Sequence, residues 1–419
     1  MEAKLQTPLT FRYFLAVSLF ISLTFLSSCD TEKRTTTYFG KISYEVDLST
    51  FRALSVSQQP PTELSNSGAI YVYGNYLFIN ERGKGIHIVD NTNPSIPKNL
   101  SFLPIEGNQN MAVNSNILYA DNYIDLLAFD ISDPQNIKLV KRVEDVFLEA
   151  YSDNQKTRIR LYKDTIITNT YKEEISYNKR VEDLLYLSSS GSYGQGGSLA
   201  RFTLLNDHLY AIDHNDMRLF SVSNASSPKY LKKITLGAGI ETIFPADDKL
   251  FIGSTTGMHI YDAAIPSQPA FLSTYTHVSS CDPVIVDGKL AYVTLRSGNM
   301  CQAGSNQLQV INIENPKSPA LIRSNPMNNP HGLTISGESL YLCDGASGLK
   351  VFNKTSLKTT PNLLHQIKEI YPTDVLATPK SLIVTAYDGI HQYDYSNPSK
   401  LIELSHLQLS KPQYDRIYY

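Results

Sequence analysis

Several acidic and basic side chains stand where predicted loops meet predicted strands, and their types suit recognition of a polar ligand. The candidate ligand-binding residues are Glu241, His277, Asp282, Arg296, His331, Asp344 and Asp374. Carboxylates beside histidine and arginine also suit acid–base chemistry on a glycan. No nucleophile and base stand at a diagnostic spacing, so we expect binding without catalysis. An enzyme acting on extracellular polysaccharide, a hydrolase or a lyase, is the alternative.

Three other histidines recur at one position of an internal repeat, which raises the question of a metal site. The same position holds other polar residues elsewhere, the full set being His87, Arg218, His259, Gln309, Lys350 and His391. A position that accepts such different side chains is typical of a solvent-facing strand. We therefore predict no metal site and no cofactor.

The cysteines permit one disulfide if the chain is in an oxidising compartment. Cys281 and Cys301 fall in two loops of the same repeat copy, on the same side of the predicted fold, and are the favoured pair. A Cys301–Cys343 pair and free buried thiols are the alternatives. Because no C-x-x-C pair occurs, the sequence does not indicate zinc.

A repeat of about 40 to 50 residues positions all of these side chains. Its copies align on Leu77, Leu118, Ile166, Leu209, Leu250, Leu290, Leu340 and Leu382. Polar turn residues precede most of these positions, namely Gly74-Asn75, Ser115-Asn116, Lys163-Asp164, Asn206-Asp207, Asp247-Asp248, Asp287-Gly288 and Gly337-Glu338. Such residues tolerate the positive φ of a two-residue hairpin turn. Recurrent aspartates at 90, 130, 262 and 394 are interpreted as turn-formers.

Each copy reads as four short strands, which is typical of a propeller blade. The sequence therefore predicts an all-β fold, a β-propeller of four-stranded antiparallel blades. We expect eight blades, or seven if the weak copy around Ile166 is an insertion. Loops into first strands and loops after second strands emerge on one face of a propeller. The candidate ligand-binding residues, with Asn110 and Asp388, are thus expected around one mouth of the central channel.

The N-terminus has the features of an export signal. Lys4 and Arg12 precede an apolar run from Tyr13 to Leu26, which is short for a bilayer span. Leu26-Ser27-Ser28-Cys29 resembles a bacterial lipobox, so Cys29 is the predicted lipidation site. We predict a lipoprotein signal peptide at 1–28, a lipidated N-terminal segment and linker at 29–65, the propeller at 66–410 and a C-terminal tail at 411–419.

Composition limits the partners. The formal net charge is −3 without a basic patch, which argues against nucleic acid. The 27 tyrosines favour β structure, and the absence of Trp removes a common sugar-stacking residue. We expect a membrane-anchored binding or scaffolding module for a glycan, peptide or protein, exported to the outer membrane on its periplasmic face or at the cell surface.

The third strand of the first copy, Ile86-His-Ile-Val-Asp90, resembles the repeat of LVIVD-repeat proteins. These are bacterial lipoproteins predicted to fold as β-propellers. The resemblance extends from about Ile70 to Leu409 and implies the fold and the exported location. It carries no catalytic residue to this chain.

Overall fold

The computed structural model describes residues 34–147, 157–171, 201–213, 215–276, 283–296 and 306–410, without the side chains of 34–41 and 162–171. The signal peptide, Cys29, His277, Cys281, Asp282 and Cys301 lie outside the described residues. The chain divides into two compact units, residues 1–45 with 161–182, and residues 46–160 with 183–419. Within the described residues, no helix has the length and apolar character needed to cross a membrane.

The described chain begins with strand β1 (Arg34–Asp47) and a five-residue helix, α1 (Leu48–Arg52). Two blades follow. Blade 1 contains β2 (Ser67–Tyr73), β3 (Tyr76–Glu81), β4 (Gly85–Asp90) and β5 (Lys98–Pro104). Blade 2 contains β6 (Met111–Asn114), β7 (Ile117–Asn122), β8 (Asp125–Asp130) and β9 (Lys138–Val143).

A long strand, β10 (Arg158–Tyr171), precedes two more blades. Blade 3 contains β11 (Phe202–Leu205), β12 (His208–Asp213), β13 (Asp216–Ser221) and β14 (Lys229–Thr235). Blade 4 contains β15 (Ile240–Ala246), β16 (Lys249–Ser254), β17 (Gly257–Asp262) and β18 (Ala270–Thr276).

Three blades complete the ring, and two short 3-10 helices (Gly345–Ser347 and Lys354–Lys358) lie within the second of them. Blade 5 contains β19 (Val284–Asp287), β20 (Leu290–Leu295), β21 (Gln307–Asn312) and β22 (Ala320–Pro326). Blade 6 contains β23 (Leu333–Ser336), β24 (Ser339–Cys343), β25 (Leu349–Asn353) and β26 (Leu363–Ile367). Blade 7 contains β27 (Pro372–Ala377), β28 (Leu382–Ala386), β29 (Gly389–Asp394) and β30 (Ile402–Gln408).

The described residues thus form seven four-stranded sheets, so the preference for eight blades is wrong. The copy around Ile166 does not form a blade there. Its described residues lie in β10, a 14-residue strand that pairs with β1 in a separate two-stranded sheet. The remaining copies are antiparallel meanders whose strands follow in chain order, as predicted.

Local sequence explains the blade geometry. Ser115-Asn116 and Asn206-Asp207 adopt positive φ, which confirms two of the predicted hairpin turns. In blade 5 the register pairs Asp287 with Leu290, so the turn is Gly288-Lys289, one residue later than predicted. Ala291 therefore takes the place that Leu77 holds in blade 1.

Glycine at the start of a third strand has a steric cause. Gly389 has φ +152°, and a Cβ there would lie 2.3 Å from the carbonyl oxygen of Leu407 on the fourth strand. Gly85 is in the same situation, because a Cβ would lie 2.2 Å from the carbonyl oxygen of Leu103. Only glycine allows the two outer strands to approach this closely.

The ring closes where blade 7 meets blade 1. Ile383 and Ile390 pack with Ile70 and Ile79 in one apolar cluster. Beside it, the side-chain amides of Asn91 and Gln392 each donate to the other, at 2.9 and 2.8 Å. Closure therefore rests on side-chain packing and a reciprocal amide pair between two complete sheets.

Candidate functional site

The rim position of a blade is defined here as the residue five positions beyond that of Leu77, at most two residues after the end of the second strand. The rim position of blade 3 lies outside the described residues, and the others are occupied by Arg82, Tyr123, Thr255, Arg296, Gly345 and Tyr387. In blades 1, 4 and 7 the backbone N–H of this residue donates to the loop that leads into the first strand, as from Tyr387 to the carbonyl oxygen of Tyr371 at 3.1 Å. The rim positions therefore lie beside these loops at one mouth of the channel, and their side chains differ from blade to blade.

Arg296 and His331 contact each other at this mouth. Nη1 of Arg296 lies 3.3 Å from Nδ1 of His331. His331 is buried, and burial together with the charge of Arg296 holds the pKa of its ring well below 6.5. Its Nε2 is also buried and has no hydrogen-bond partner within the described protein. The ring is thus a neutral side chain whose second nitrogen bonds to nothing in the described part of the chain.

Two tyrosines adjoin this pair. The rings of Tyr371 and Tyr387 stack with centroids 4.2 Å apart and planes 14° from parallel. Tyr371 also meets the ring of His331 edge-on at 6.1 Å, and its hydroxyl accepts a hydrogen bond from Nδ2 of Asn329 at 2.8 Å. Burial, with Tyr371 close by, raises the pKa of Tyr387. Blades 5, 6 and 7 thus contribute one continuous polar and aromatic surface.

Glu241 of blade 4 completes what we call the channel-mouth cluster: Glu241, Arg296, His331, Tyr371 and Tyr387. Burial lowers the pKa of Arg296, whereas the negative charge of Glu241 opposes that shift. The guanidinium of Arg201 holds the backbone at the start of β15, because it donates to the carbonyl oxygens of Ile240 and Glu241 at 3.1 and 3.2 Å. The predicted residues Glu241, Arg296 and His331 are thus brought into one electrostatic environment.

Asp344 is placed differently. It is 0% exposed, and its carboxylate accepts the backbone N–H groups of Asn328 and Asn329 and an ion pair from Lys350 at 2.5 Å. The same pairing of an acid at the end of the second strand with a base on the third strand recurs in other blades: Glu81 with His87 at 2.8 Å, and Asp213 with Arg218 at 3.2 Å. Asp344 therefore belongs to the blade framework.

These ion pairs also correct the interpretation of the third-strand position as solvent-facing. His87, Arg218, Gln309 and His391 are all buried there. The varied polar residues are tolerated because an acidic or polar partner lies opposite each of them, for example Tyr275, which donates to Gln309 at 3.1 Å. Variability at this position therefore reflects changing partners, which lie in the same blade for His87 and Arg218 and in the neighbouring blade for Gln309.

Asp374 is also largely enclosed. Its Oδ1 accepts from the backbone N–H of Val375 at 3.0 Å. A Cβ on Gly332 would lie 2.1 Å from the same oxygen, so the carboxylate packs directly against the backbone that follows His331. It supports the loop carrying His331 and is more deeply placed than Tyr371.

Asn110, predicted at the same mouth, belongs to a buried network in blade 2. Asp121 accepts from the backbone N–H groups of Gln109 and Asn110 and from the side-chain amides of Asn108 and Asn110, all at 2.8 Å. Burial raises the pKa of Asp121 to about 6 despite these bonds. Asn110 therefore shapes the loop into β6.

The sequence reasoning missed the two tyrosines. Alignment of rim positions would have identified Tyr387, because it takes the place that Arg296 holds two blades earlier. The alignment on Leu290 concealed this equivalence, since the true counterpart of Leu77 in blade 5 is Ala291. Tyr371 is found only through its pairing with Tyr387.

Comparison with known proteins agrees with the propeller fold. Residues 66–101 match the family model described as LVIVD repeat, which confirms that resemblance over blade 1. No curated protein matches the chain.

Solved structures resemble this chain at low identity. The computationally designed Ika8 protein is 10% identical over 85% of this chain and 92% of that chain, with a TM-score of 0.52. Sqt1 of Saccharomyces cerevisiae is 10% identical over 83% and 88%, with a TM-score of 0.51. BamB from Moraxella catarrhalis is 10% identical over 84% and 96%, with a TM-score of 0.45. At such identity these likenesses concern the fold alone.

Proposed function

We propose that this β-propeller is a non-catalytic binding module that docks a partner protein at the channel mouth on blades 4 to 7. The observation that carries the proposal is the channel-mouth cluster, in which two rim residues, Arg296 and Tyr387, meet residues at the starts of first strands, so that four blades contribute. Loops from several blades meeting at one mouth are a frequent setting for ligand sites.

The chemistry of the cluster favours a partner group rich in hydrogen-bond acceptors. Nδ1 of His331 faces the Arg296 guanidinium, which has only donors, so the ring proton is on Nε2. Within the described residues this buried N–H has no acceptor, which costs about 1–3 kcal/mol. A carbonyl or carboxylate of a partner that inserts far enough to reach it would recover this cost. Tyrosine and arginine are also the residue types that supply much of the energy of protein interfaces.

Catalysis is less well supported. Glycan hydrolysis uses two carboxyl groups that flank the scissile bond. Of the three predicted carboxylates that are described, Asp344 is bonded to Lys350 and two backbone N–H groups, and Asp374 packs against Gly332, which leaves Glu241. His331 offers a proton on Nε2 and resists taking up a second one, so it suits a hydrogen-bond donor better than a base.

We also propose that the module is lipid-anchored through Cys29 and exported to the outer membrane, on the periplasmic side or at the surface. The support is the sequence Leu26-Ser27-Ser28-Cys29 behind a short apolar run. A lipoprotein cysteine carries several acyl chains, and more than one chain is needed for stable anchoring.

Site-specific photo-crosslinking tests the docking proposal. A photo-reactive residue at exposed Thr256, on the mouth side of blade 4, should crosslink one discrete protein in the membrane fraction of the native host. The matched control is exposed Asp247, in the hairpin turn on the opposite face. Introducing the substitutions Arg296→Ala and His331→Gln should abolish the crosslink formed from position 256. The Tm should change by no more than a few degrees.

A Thr256 product that persists in the double variant, or equal products from both faces, would remove the channel mouth from consideration. A carbohydrate adduct in place of a protein would favour a glycan ligand. Release of reducing ends from a polysaccharide, lost in the double variant, would instead support the enzymatic alternative.

A further inference from the structure

A second group of side chains lies on the outer half of blade 7 and plays no part in the channel-mouth cluster. We propose that Asp388, His391 and His406 bind a divalent first-row transition metal ion, with Zn²⁺ as the probe. One candidate ligand atom from each residue lies within 4.8 Å of the other two. The proposal is independent of the function proposed for the channel mouth.

The fold of blade 7 brings the three residues together. Asp388 is in the two-residue connection between β28 and β29, and His391 follows three residues later on β29. His406 is the direct cross-strand neighbour of His391 in the β29–β30 register. Their rings stack with centroids 3.9 Å apart and planes 16° from parallel, and Nε2 of each ring lies within 4 Å of a carboxylate oxygen of Asp388.

The separations are close to those of a metal site. Nε2 of His391 lies 3.1 Å from Oδ1 of Asp388, and Nε2 of His406 lies 3.9 Å from Oδ2. Ligand atoms that are each about 2.0–2.2 Å from a tetrahedral metal are roughly 3.4 Å from one another. The separations thus need little change, but one ring must turn out of the stack, because each nitrogen lone pair lies in its own ring plane. Binding would replace the contact between Nε2 of His406 and the carbonyl oxygen of Asp388, now 3.3 Å.

A second carboxylate orients the central histidine. Oε1 of Glu403 lies 2.7 Å from Nδ1 of His391. A metal-bound histidine usually donates its other ring N–H to such a carboxylate, which fixes the tautomer. If Nδ1–H is donated to Glu403, a neutral ring turns its Nε2 lone pair toward Asp388. That arrangement needs a cation between the two, either a second ring proton or a metal ion.

Comparison with blade 1 shows what is specific to blade 7. His87 holds the repeat position of His391 and also has a carboxylate partner, Glu81 at 2.8 Å. Its cross-strand neighbour is Phe102, however, so that site has one histidine and no further ligand. The second histidine turns a repeated histidine–acid pair into a three-ligand set.

The donor types of the three side chains determine which ions they would bind, and their exposure determines whether an ion can enter. Two imidazoles and one carboxylate suit Zn²⁺, Ni²⁺ or Cu²⁺, whereas Ca²⁺ and Mg²⁺ prefer oxygen ligands. The side chains of Asp388 and His406 are 25% and 30% exposed, whereas that of His391 is 5% exposed. An ion could therefore enter from solvent and would retain a coordination position for water or an external ligand.

Calorimetric titration of the untagged, EDTA-treated protein with ZnCl₂ at pH 7.5 tests the proposal. The wild type should bind one Zn²⁺ that His406→Ala and Asp388→Asn each weaken at least tenfold. Because His406 is on the outer strand, its replacement should leave the fold intact. His365→Ala is the matched control, a half-buried histidine on the outer strand of blade 6, and should bind like the wild type.

Substitution with Co²⁺ gives a second readout, because two nitrogen ligands and an oxygen should produce visible absorption that is absent in His406→Ala. Lowering the pH to 5 should weaken binding, since the histidines must lose their protons to bind metal. Failure of the wild type to bind Zn²⁺, or unchanged affinity in His406→Ala, would show that the cluster is only a histidine hydrogen-bonded between two carboxylates.

Discussion

Arg296 donates a hydrogen bond from Nη1 to Nδ1 of His331 at 3.3 Å, and this contact determines which ring nitrogen carries the proton. Because arginine has no acceptor, the neutral ring must hold its proton on Nε2. Burial and the adjacent guanidinium charge both oppose protonation of Nδ1. The contact thus converts a titratable side chain into a fixed hydrogen-bond donor.

The first prediction concerns the pH dependence of stability. The pKa of His331 is held well below 6.5, whereas in the unfolded chain it is about 6.5. Below about pH 6.5 the unfolded state takes up a proton that the native state does not. His331 should therefore reduce the free energy of unfolding as the pH falls, by up to about 1.4 kcal/mol per pH unit. Urea unfolding at pH 7.5 and 5.5 should show a smaller loss for His331→Gln, and an equal loss in both proteins would contradict this.

The second prediction concerns Asp344. Replacing it with Asn leaves Lys350, whose side chain is 14% exposed, without its counter-charge. Breaking a buried pair costs about 3–5 kcal/mol, and partial exposure of Lys350 places this one toward the lower value. The control is Glu314→Gln, which breaks an exposed ion pair with Lys289 and should cost about 0–1 kcal/mol. Chemical denaturation measures both. If Asp344→Asn were as stable as the wild type, Asp344 would be available for a ligand after all.

The third prediction concerns the thiols. Cys343 is free and 0% exposed, and burial raises the pKa of its thiol well above 9. The Cys301–Cys343 alternative is therefore not formed in this structure. Native protein should leave Cys343 unmodified by iodoacetamide. In exported protein that is unfolded but not reduced, mass spectrometry should find only Cys343 modified, because Cys281 and Cys301 are predicted to be linked. Modification of all three would exclude the disulfide.

The fourth prediction concerns the anchor. Cys29→Ser removes the predicted acylation site, so the protein should move from the membrane fraction to the soluble fraction. Ser28→Thr would be a poor control because it alters the lipobox itself. Cys343→Ser, which changes a cysteine far from the N-terminus, is better for comparison of fractionation. A Cys29→Ser protein that remains lipid-modified and membrane-bound would refute the assignment.

The blade architecture could be predicted because each blade repeats local signals. The aspartates at turns show this well: Asp90, Asp130, Asp262 and Asp394 each accept from the backbone N–H two residues later, as predicted. The number of blades could not be derived, since the sequence around Ile166 predicts strands in the same way as the sequence of a true blade. Only their pairing with β1 separates them from the ring.

The candidate site was less predictable, because proximity in a propeller depends on contacts between blades. Arg296 and His331 were placed at the same mouth by topology, whereas their direct contact depends on side-chain reach. Asp344 was placed at the mouth by the same reasoning. Its carboxylate can be buried because Lys350, six residues later, supplies the counter-charge. A comparison of the repeated acid–base pairs would have revealed this partner.

Closure of the ring by packing, without a shared strand, has a consequence for synthesis. Ile70 and Ile79 are made early, but their partners Ile383 and Ile390 are more than 300 residues away in the chain. While the chain grows from its N-terminus, blade 1 must therefore expose an apolar face that nothing yet covers. Contacts between such distant residues form slowly, and exposed apolar faces promote aggregation. The nascent protein thus depends on staying unfolded or shielded until blade 7 is complete.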